Sequence, residues 1–147
     1  MIKFEKLPPD ILARIPDAIK VLSEDNHVIF AYLFGGLVKG KVTPLSDIDI
    51  AVYLKDMDNI AEQKLLLFDE LTDALGTNEL DLVILNTAPI SLAGRVLQKK
   101  EILIDKIPSQ RHLYESLTLR KFFDFKIKEE MFFSRRYPSA LLKGPSR

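Results

Sequence analysis

The hydrophobic positions of this chain fall into short runs, and their period changes from one run to the next. After the breaker Leu7-Pro8-Pro9, Ile11, Leu12, Ile15, Ile19 and Leu22 recur at helical spacing. Pro16 lies inside that pattern and predicts a kink or a division, because it lacks an N–H and pushes Ile15 away from α geometry. Val28 to Phe34 is a nearly continuous apolar run with β-branched and aromatic residues, which predicts a strand buried on both faces. Residues 47–54 alternate. Ile48, Ile50, Val52 and Leu54 share the face expected to enter the core, while Asp47, Asp49, Ala51 and Tyr53 share a face expected to open onto a cleft at its Asp end. Residues 59–75 read as an amphipathic helix stopped by Gly76. Glu79 to Leu85 is a further strand, broken at Asn86. Pro89 opens a short helix through about Gln98, Glu101 to Asp105 forms a short edge-like strand, and Pro108 begins a long helix to about Phe133. The order is helix, strand, strand, helix, strand, helix, strand, helix. It predicts an α/β (α+β) fold, a small mixed sheet backed by helices. The expected organisation is a single domain over 1–147, with a core at about 28–105, a C-terminal helix at about 108–134 and a frayed tail at 137–147.

A length of 147 residues gives room for a real core, and 47% hydrophobic with 29% charged residues is ordinary for a globular chain. There is no cysteine, so disulfides, thiolate zinc sites and cysteine nucleophiles are excluded. No apolar run reaches the roughly 20 residues needed to span a bilayer, and residues 1–6 do not read as a signal peptide. A cytoplasmic protein without membrane association is the expectation. Net charge is zero, yet residues 1–105 carry −6 and residues 106–147 carry +6. The basic end reads either as a solvated helix face or as a surface for an anionic partner. Its aromatics Phe122, Phe123, Phe125, Phe132 and Phe133 span more than one helix face; core packing is the favoured reading and a partner interface the alternative.

Chemistry concentrates in 35–49 and at Asp81. Asp47 and Asp49 stand at i and i+2 on a strand, so both point one way, about 6.5–7 Å apart. Two carboxylates so placed can hold one divalent ion or bracket a pair, and oxygen-only ligands suit Mg²⁺ or Mn²⁺ rather than zinc. Asp81 sits in the apolar run Leu80 to Leu85, where burial would be costly without a partner or metal. It could complete a metal shell or act as a general base; the alternative is an exposed strand start. Gly35 and Gly36 can expose successive amides as an anion nest or simply make a turn. Lys39 and Lys41 are nearby cations, and Ser46 either caps the turn or bonds a phosphate. Neither His27 nor His112 has metal-ligand spacing.

Gly35-Gly36, ten residues, then Asp47-Ile48-Asp49 resembles the signature of the DNA polymerase beta superfamily of nucleotidyltransferases. The resemblance is closest to the MNT-type minimal nucleotidyltransferases: Gly35, Gly40, Ser46, Asp47 and Asp49 fall on their pattern, and Leu80-Asp81-Leu82-Val83 matches their third carboxylate strand. It covers about residues 28–105. It implies that ATP lies on the Gly35–Gly40 turn with Gly35, Gly36, Lys39, Gly40 and Ser46 as nucleotide contacts. It also implies that Asp47, Asp49 and Asp81 are catalytic and hold two Mg²⁺ ions, with Mn²⁺ as an alternative. The expected activity is AMP transfer to a hydroxyl, typically tyrosine, of a HEPN-type toxin, making the chain the antitoxin of a toxin–antitoxin pair. One departure is Gly36, which stands where the family has Ser. It keeps open a second reading, a weakened site that neutralises the partner by binding alone. A third is transfer to a small molecule of aminoglycoside type. The segment 106–147 is the candidate for partner binding or for self-association into a homo-oligomer, and direct nucleic-acid binding is not expected.

Overall fold

The computed structural model describes residues 10–36 and 47–136. Leu7-Pro8-Pro9, Lys39, Gly40, Lys41, Ser46 and the tail from Tyr137 lie outside the described residues. Among the described residues, four helices and four strands follow in the expected order: α1 (Ile11–Glu24), β1 (Val28–Phe34), β2 (Ile48–Leu54), α2 (Ile60–Leu75), β3 (Leu80–Ile84), α3 (Ile90–Gln98), β4 (Lys100–Asp105) and α4 (Pro108–Arg136). The strands form one mixed sheet in the order β3-β2-β1-β4. β1 runs antiparallel to β2 and β4, while β3 is parallel to β2 and reached through the α2 crossover.

The period-2 pattern of the strands divides the core between the two sheet faces. Ala31, Leu33, Ile48, Ile50, Val52, Leu54, Leu82 and Ile84 pack with Ala18 and Leu22 of α1 and Leu67, Leu71 and Leu75 of α2. On the other face, Phe30, Tyr32, Ala51 and Val83 pack with Val96 and Leu97 of α3 and with Tyr114 and Leu119 of α4. β1 lies between two strands with helices over both faces, which is why its run is apolar nearly throughout. Asn86 ends β3 as its sequence predicts, by lending its amide to the sheet. It accepts from the Leu54 N–H at 2.8 Å and donates to the Leu54 carbonyl at 2.9 Å. Gly76 closes α2 in the left-handed region, with φ 73 and its N–H donating to the Thr72 carbonyl.

Three expectations are corrected. Of the kink or division expected at Pro16, division does not occur: α1 is one helix from Ile11 to Glu24. Pro16 and Leu12 are both exposed, so the helical bond that proline cannot make falls on the exposed side of the helix. Second, core packing holds for Phe122 alone among the five late aromatics. Phe122 is 5% exposed, whereas Phe132 is 59% exposed and Phe123, Phe125 and Phe133 are likewise exposed. The reason is length: α4, about 43 Å at ~1.5 Å per residue, continues three residues past its expected end and buries only Thr118 and Phe122. Third, Asp81 is exposed, so no desolvation cost singles it out.

Candidate functional site

Topology assembles the site. Because β1 is antiparallel to β2, the turn leaving β1 stands at the end of the sheet where β2 begins. Because β3 is parallel to β2, β3 begins at that end too. Gly35, Gly36, Asp47, Asp49 and Asp81 therefore meet at one sheet end, although 46 positions separate the first from the last. Cross-strand register sharpens this. Asp81 is the ladder partner of Asp49, Asp49 of Phe34, and Phe34 of Lys100. One row thus runs Asp81–Asp49–Phe34–Lys100 across all four strands, with neighbours about 4.8 Å apart. Asp47 directly precedes β2 rather than lying within it, and the neighbouring Ile48 N–H donates to the Glu79 carbonyl at 3.1 Å. Glu79 is buried, and its N–H donates to Thr77 Oγ1 at 3.1 Å, which anchors the start of β3.

The face carrying the carboxylates opens at its Asp end and is packed further along. Asp47 and Asp49 are half-buried, but Ala51 is fully covered and Tyr53 stacks on Phe30 with ring centroids 4.8 Å apart. The two glycines differ sharply. Gly35 has φ +78, and a Cβ built there would fall on the Asp49 carboxylate oxygen Oδ2. Its missing side chain leaves room for that carboxylate as well as permitting the turn. A Cβ built at Gly36 meets nothing within 4 Å, and Gly36 has no positive φ.

A polar cluster closes the far end of the row. Tyr32 donates its phenol to Glu115 Oε2 at 2.6 Å, Arg111 Nη1 donates to both Glu115 oxygens at 3.1 Å, and Arg111 Nε donates to Asp105 Oδ2 at 2.8 Å. Lys100 Nζ lies 3.7 Å from Glu115 Oε2 and 5.6 Å from the centre of the Tyr32 ring. These contacts pin the first turns of α4 to β1 and β4. Burial and the Glu115 carboxylate push the Tyr32 phenol up from its ordinary value. Burial also opposes ionisation of Glu115, but the hydrogen bonds from Tyr32 and Arg111 outweigh it and hold that carboxyl below its ordinary value. Sequence reading passed over these residues. The Arg111/Glu115 pair at i, i+4 was the available signal, but nothing local links it to Tyr32.

The donor set at the sheet end is all carboxylate oxygen, which suits a hard cation such as Mg²⁺. Among the described residues no group of three acidic, His or Cys side chains forms a ready-made metal cluster. The carboxylates are arrayed along the sheet end, with that of Asp49 set against Gly35. Such an array fits an ion that takes one or two carboxylates and completes its shell with water and substrate phosphate. Lys39, Gly40 and Ser46, also expected here, lie outside the described residues.

A mixed four-stranded sheet with a glycine turn and three carboxylates at one end, backed by helices and closed by a long C-terminal helix, has the architecture of a minimal nucleotidyltransferase. Residues 17–108 match the family "Polymerase beta, Nucleotidyltransferase", and the chain belongs to that family. Among solved structures it is similar to a toxin–antitoxin complex with AMP-PNP, at 28% identity and TM-score 0.69 over 82% of this chain and 96% of that one. It is also similar to the tri-AMPylated HEPN toxin of Shewanella oneidensis in complex with its MNT antitoxin, at 25% identity and TM-score 0.65 over 84% and 96% of the two chains. A third similar structure is an MntA–HepT toxin–antitoxin complex, at 26% identity and TM-score 0.64 over 84% and 97%. No curated protein matches the chain significantly. No described helix is long and apolar enough to cross a membrane.

Proposed function

We infer that this chain is the antitoxin half of a toxin–antitoxin pair and transfers AMP from ATP to a tyrosyl hydroxyl of a HEPN-type toxin. The observation that carries the reading is the meeting of Asp47, Asp49 and Asp81 beside Gly35, in a chain spanning 96% of relatives found with AMP-PNP and with an AMPylated toxin. The turn after β1 receives the triphosphate. Asp47 and Asp49 would hold a divalent ion, which would supply positive charge at the phosphates. Asp81, exposed at the sheet edge, is the carboxylate an incoming hydroxyl meets first. It accepts the proton as the hydroxyl oxygen bonds to the α-phosphorus and the bond to pyrophosphate breaks.

The test is transfer of label from α-labelled ATP, with Mg²⁺, to a HEPN-type toxin that binds this chain. Labelling of the partner is expected from the wild type and not from Asp47→Ala/Asp49→Ala. Equal labelling by both proteins, or none by either, sinks the proposal. Gly36 supports a second reading, neutralisation by binding alone, since a hydroxyl on phosphate is lost there. Under that reading the partner binds tightly while calorimetry with ATP and Mg²⁺ shows no heat.

A further inference from the structure

The row of carboxylates ends at β3, and β3 is an edge strand: among the described residues no strand pairs with its outer side. Along that side runs an open groove of about 470 Å³ between the first turns of α2 and the start of α3. Asp81 lines one end. Ala61 and Lys64 come from α2, Ile84 from β3, and Thr87 and Leu92 from the approach to α3 and from α3 itself. The strand from Asp81 to Ile84 is about 10 Å long, enough for a short extended segment of polypeptide.

Resting on the function proposed above, we propose that this groove is the acceptor site. It takes an extended polypeptide segment along the β3 edge and delivers that segment's tyrosine hydroxyl to Asp81. Three observations select this occupant. First, the groove is continuous with the reacting end, because Asp81 belongs both to it and to the carboxylate row. Second, its walls are mainly apolar, with Lys64 as the cation and Asp81 as the carboxylate, which suits a neutral aromatic side chain. A polycationic small molecule needs acidic walls. The cleft that has them, with Asp25, Asp56, Asp58 and Glu70, lies beyond the end of β2, about 17 Å along the strand from Asp49. Third, an edge strand offers main-chain donors and acceptors to an added strand, and a polypeptide can use them.

The test uses Ala61→Arg, which fills the groove from an exposed helical position, and Lys64→Glu, which reverses its cation. With the HEPN-type toxin that binds this chain as acceptor, each variant is expected to raise the acceptor KM at least tenfold, leaving ATP affinity by calorimetry and the melting temperature unchanged. Unchanged acceptor KM in both variants, with transfer intact, overturns the acceptor site and leaves AMP transfer standing. If the wild type transfers nothing, the proposed activity fails and a second measurement decides the groove. The chain has no cysteine, so Ala61→Cys provides a unique thiol for a benzophenone cross-linker. Cross-linking to a tyrosine-bearing segment of the bound partner upholds the groove as its docking site. An intact complex without that cross-link overturns it.

Discussion

Two adjacent glycines have opposite structural status, and exchanging each for serine separates their roles. At Gly36 the built Cβ meets nothing within 4 Å and φ is not positive, so Gly36→Ser fits without strain. Reducing the freedom of the unfolded chain contributes about 0.4–1 kcal/mol of stability. If ATP binds at this turn as proposed, the new hydroxyl would add a hydrogen bond to a charged phosphate, worth about 1.5–3 kcal/mol. At about 1.36 kcal/mol per factor of ten, that is on the order of a 10- to 150-fold gain in rate if the bond forms only in the transition state. At Gly35, φ +78 charges any side chain about 1–2 kcal/mol, and its Cβ displaces the Asp49 carboxylate. Gly35→Ser is therefore expected to lower the denaturation midpoint and abolish measurable transfer. The assay is the initial rate of AMP incorporation at saturating ATP and Mg²⁺, beside urea denaturation of each variant. A Gly36→Ser protein no faster than wild type would refute the phosphate contact. A Gly35→Ser protein with wild-type activity would refute the dependence of Asp49 on a bare backbone at 35.

Three further outcomes are expected. Glu115 is held below its ordinary value, so its stabilising contribution is fully present above the unfolded-state carboxyl pKa and is lost as pH falls through the folded one. Glu115→Gln should lower stability at pH 7 by about 1–3 kcal/mol, and the gap from wild type should narrow as a denaturation series passes below about pH 4.5; a gap independent of pH contradicts the assignment. Phe122→Ala should cost about 3–5 kcal/mol while Phe132→Ala stays within about 0.5 kcal/mol, because only the first is buried; similar losses in thermal denaturation of the free chain argue against the observed packing. Asn86→Ala removes both bonds to Leu54 and should cost about 1–3 kcal/mol, a result checked by urea denaturation.

The elements were legible because each strand is a distinct apolar run and several helix boundaries carry a marker, such as Gly76 after α2 and Pro89 and Pro108 before α3 and α4. Sheet order was not, since pairing joins segments far apart and the runs of β1 and β3 look alike. Asp81 shows the difference. The pattern singled it out as a carboxylate expensive to bury, yet it is exposed, and its significance lies in pairing with Asp49, which only the β2–β3 register reveals. The late aromatics failed for a related reason. Helical spacing shows which residues share a face but not how far the sheet beneath extends, so Phe123 and Phe132 read like Phe122. The Tyr32–Glu115 bond spans 83 positions and has no local signature.

The pairing of Asp49 with Asp81 also bears on when the site comes into being. A slip of one residue in β3 would turn Asp81 to the opposite face and Leu82 toward the carboxylates. The correct pairing forms only after the intervening crossover has closed, which makes it one of the slower contacts of the fold. If the chain transfers AMP as proposed, the appearance of activity during refolding reports the docking of β3 beside β2, and it should lag the recovery of helical signal.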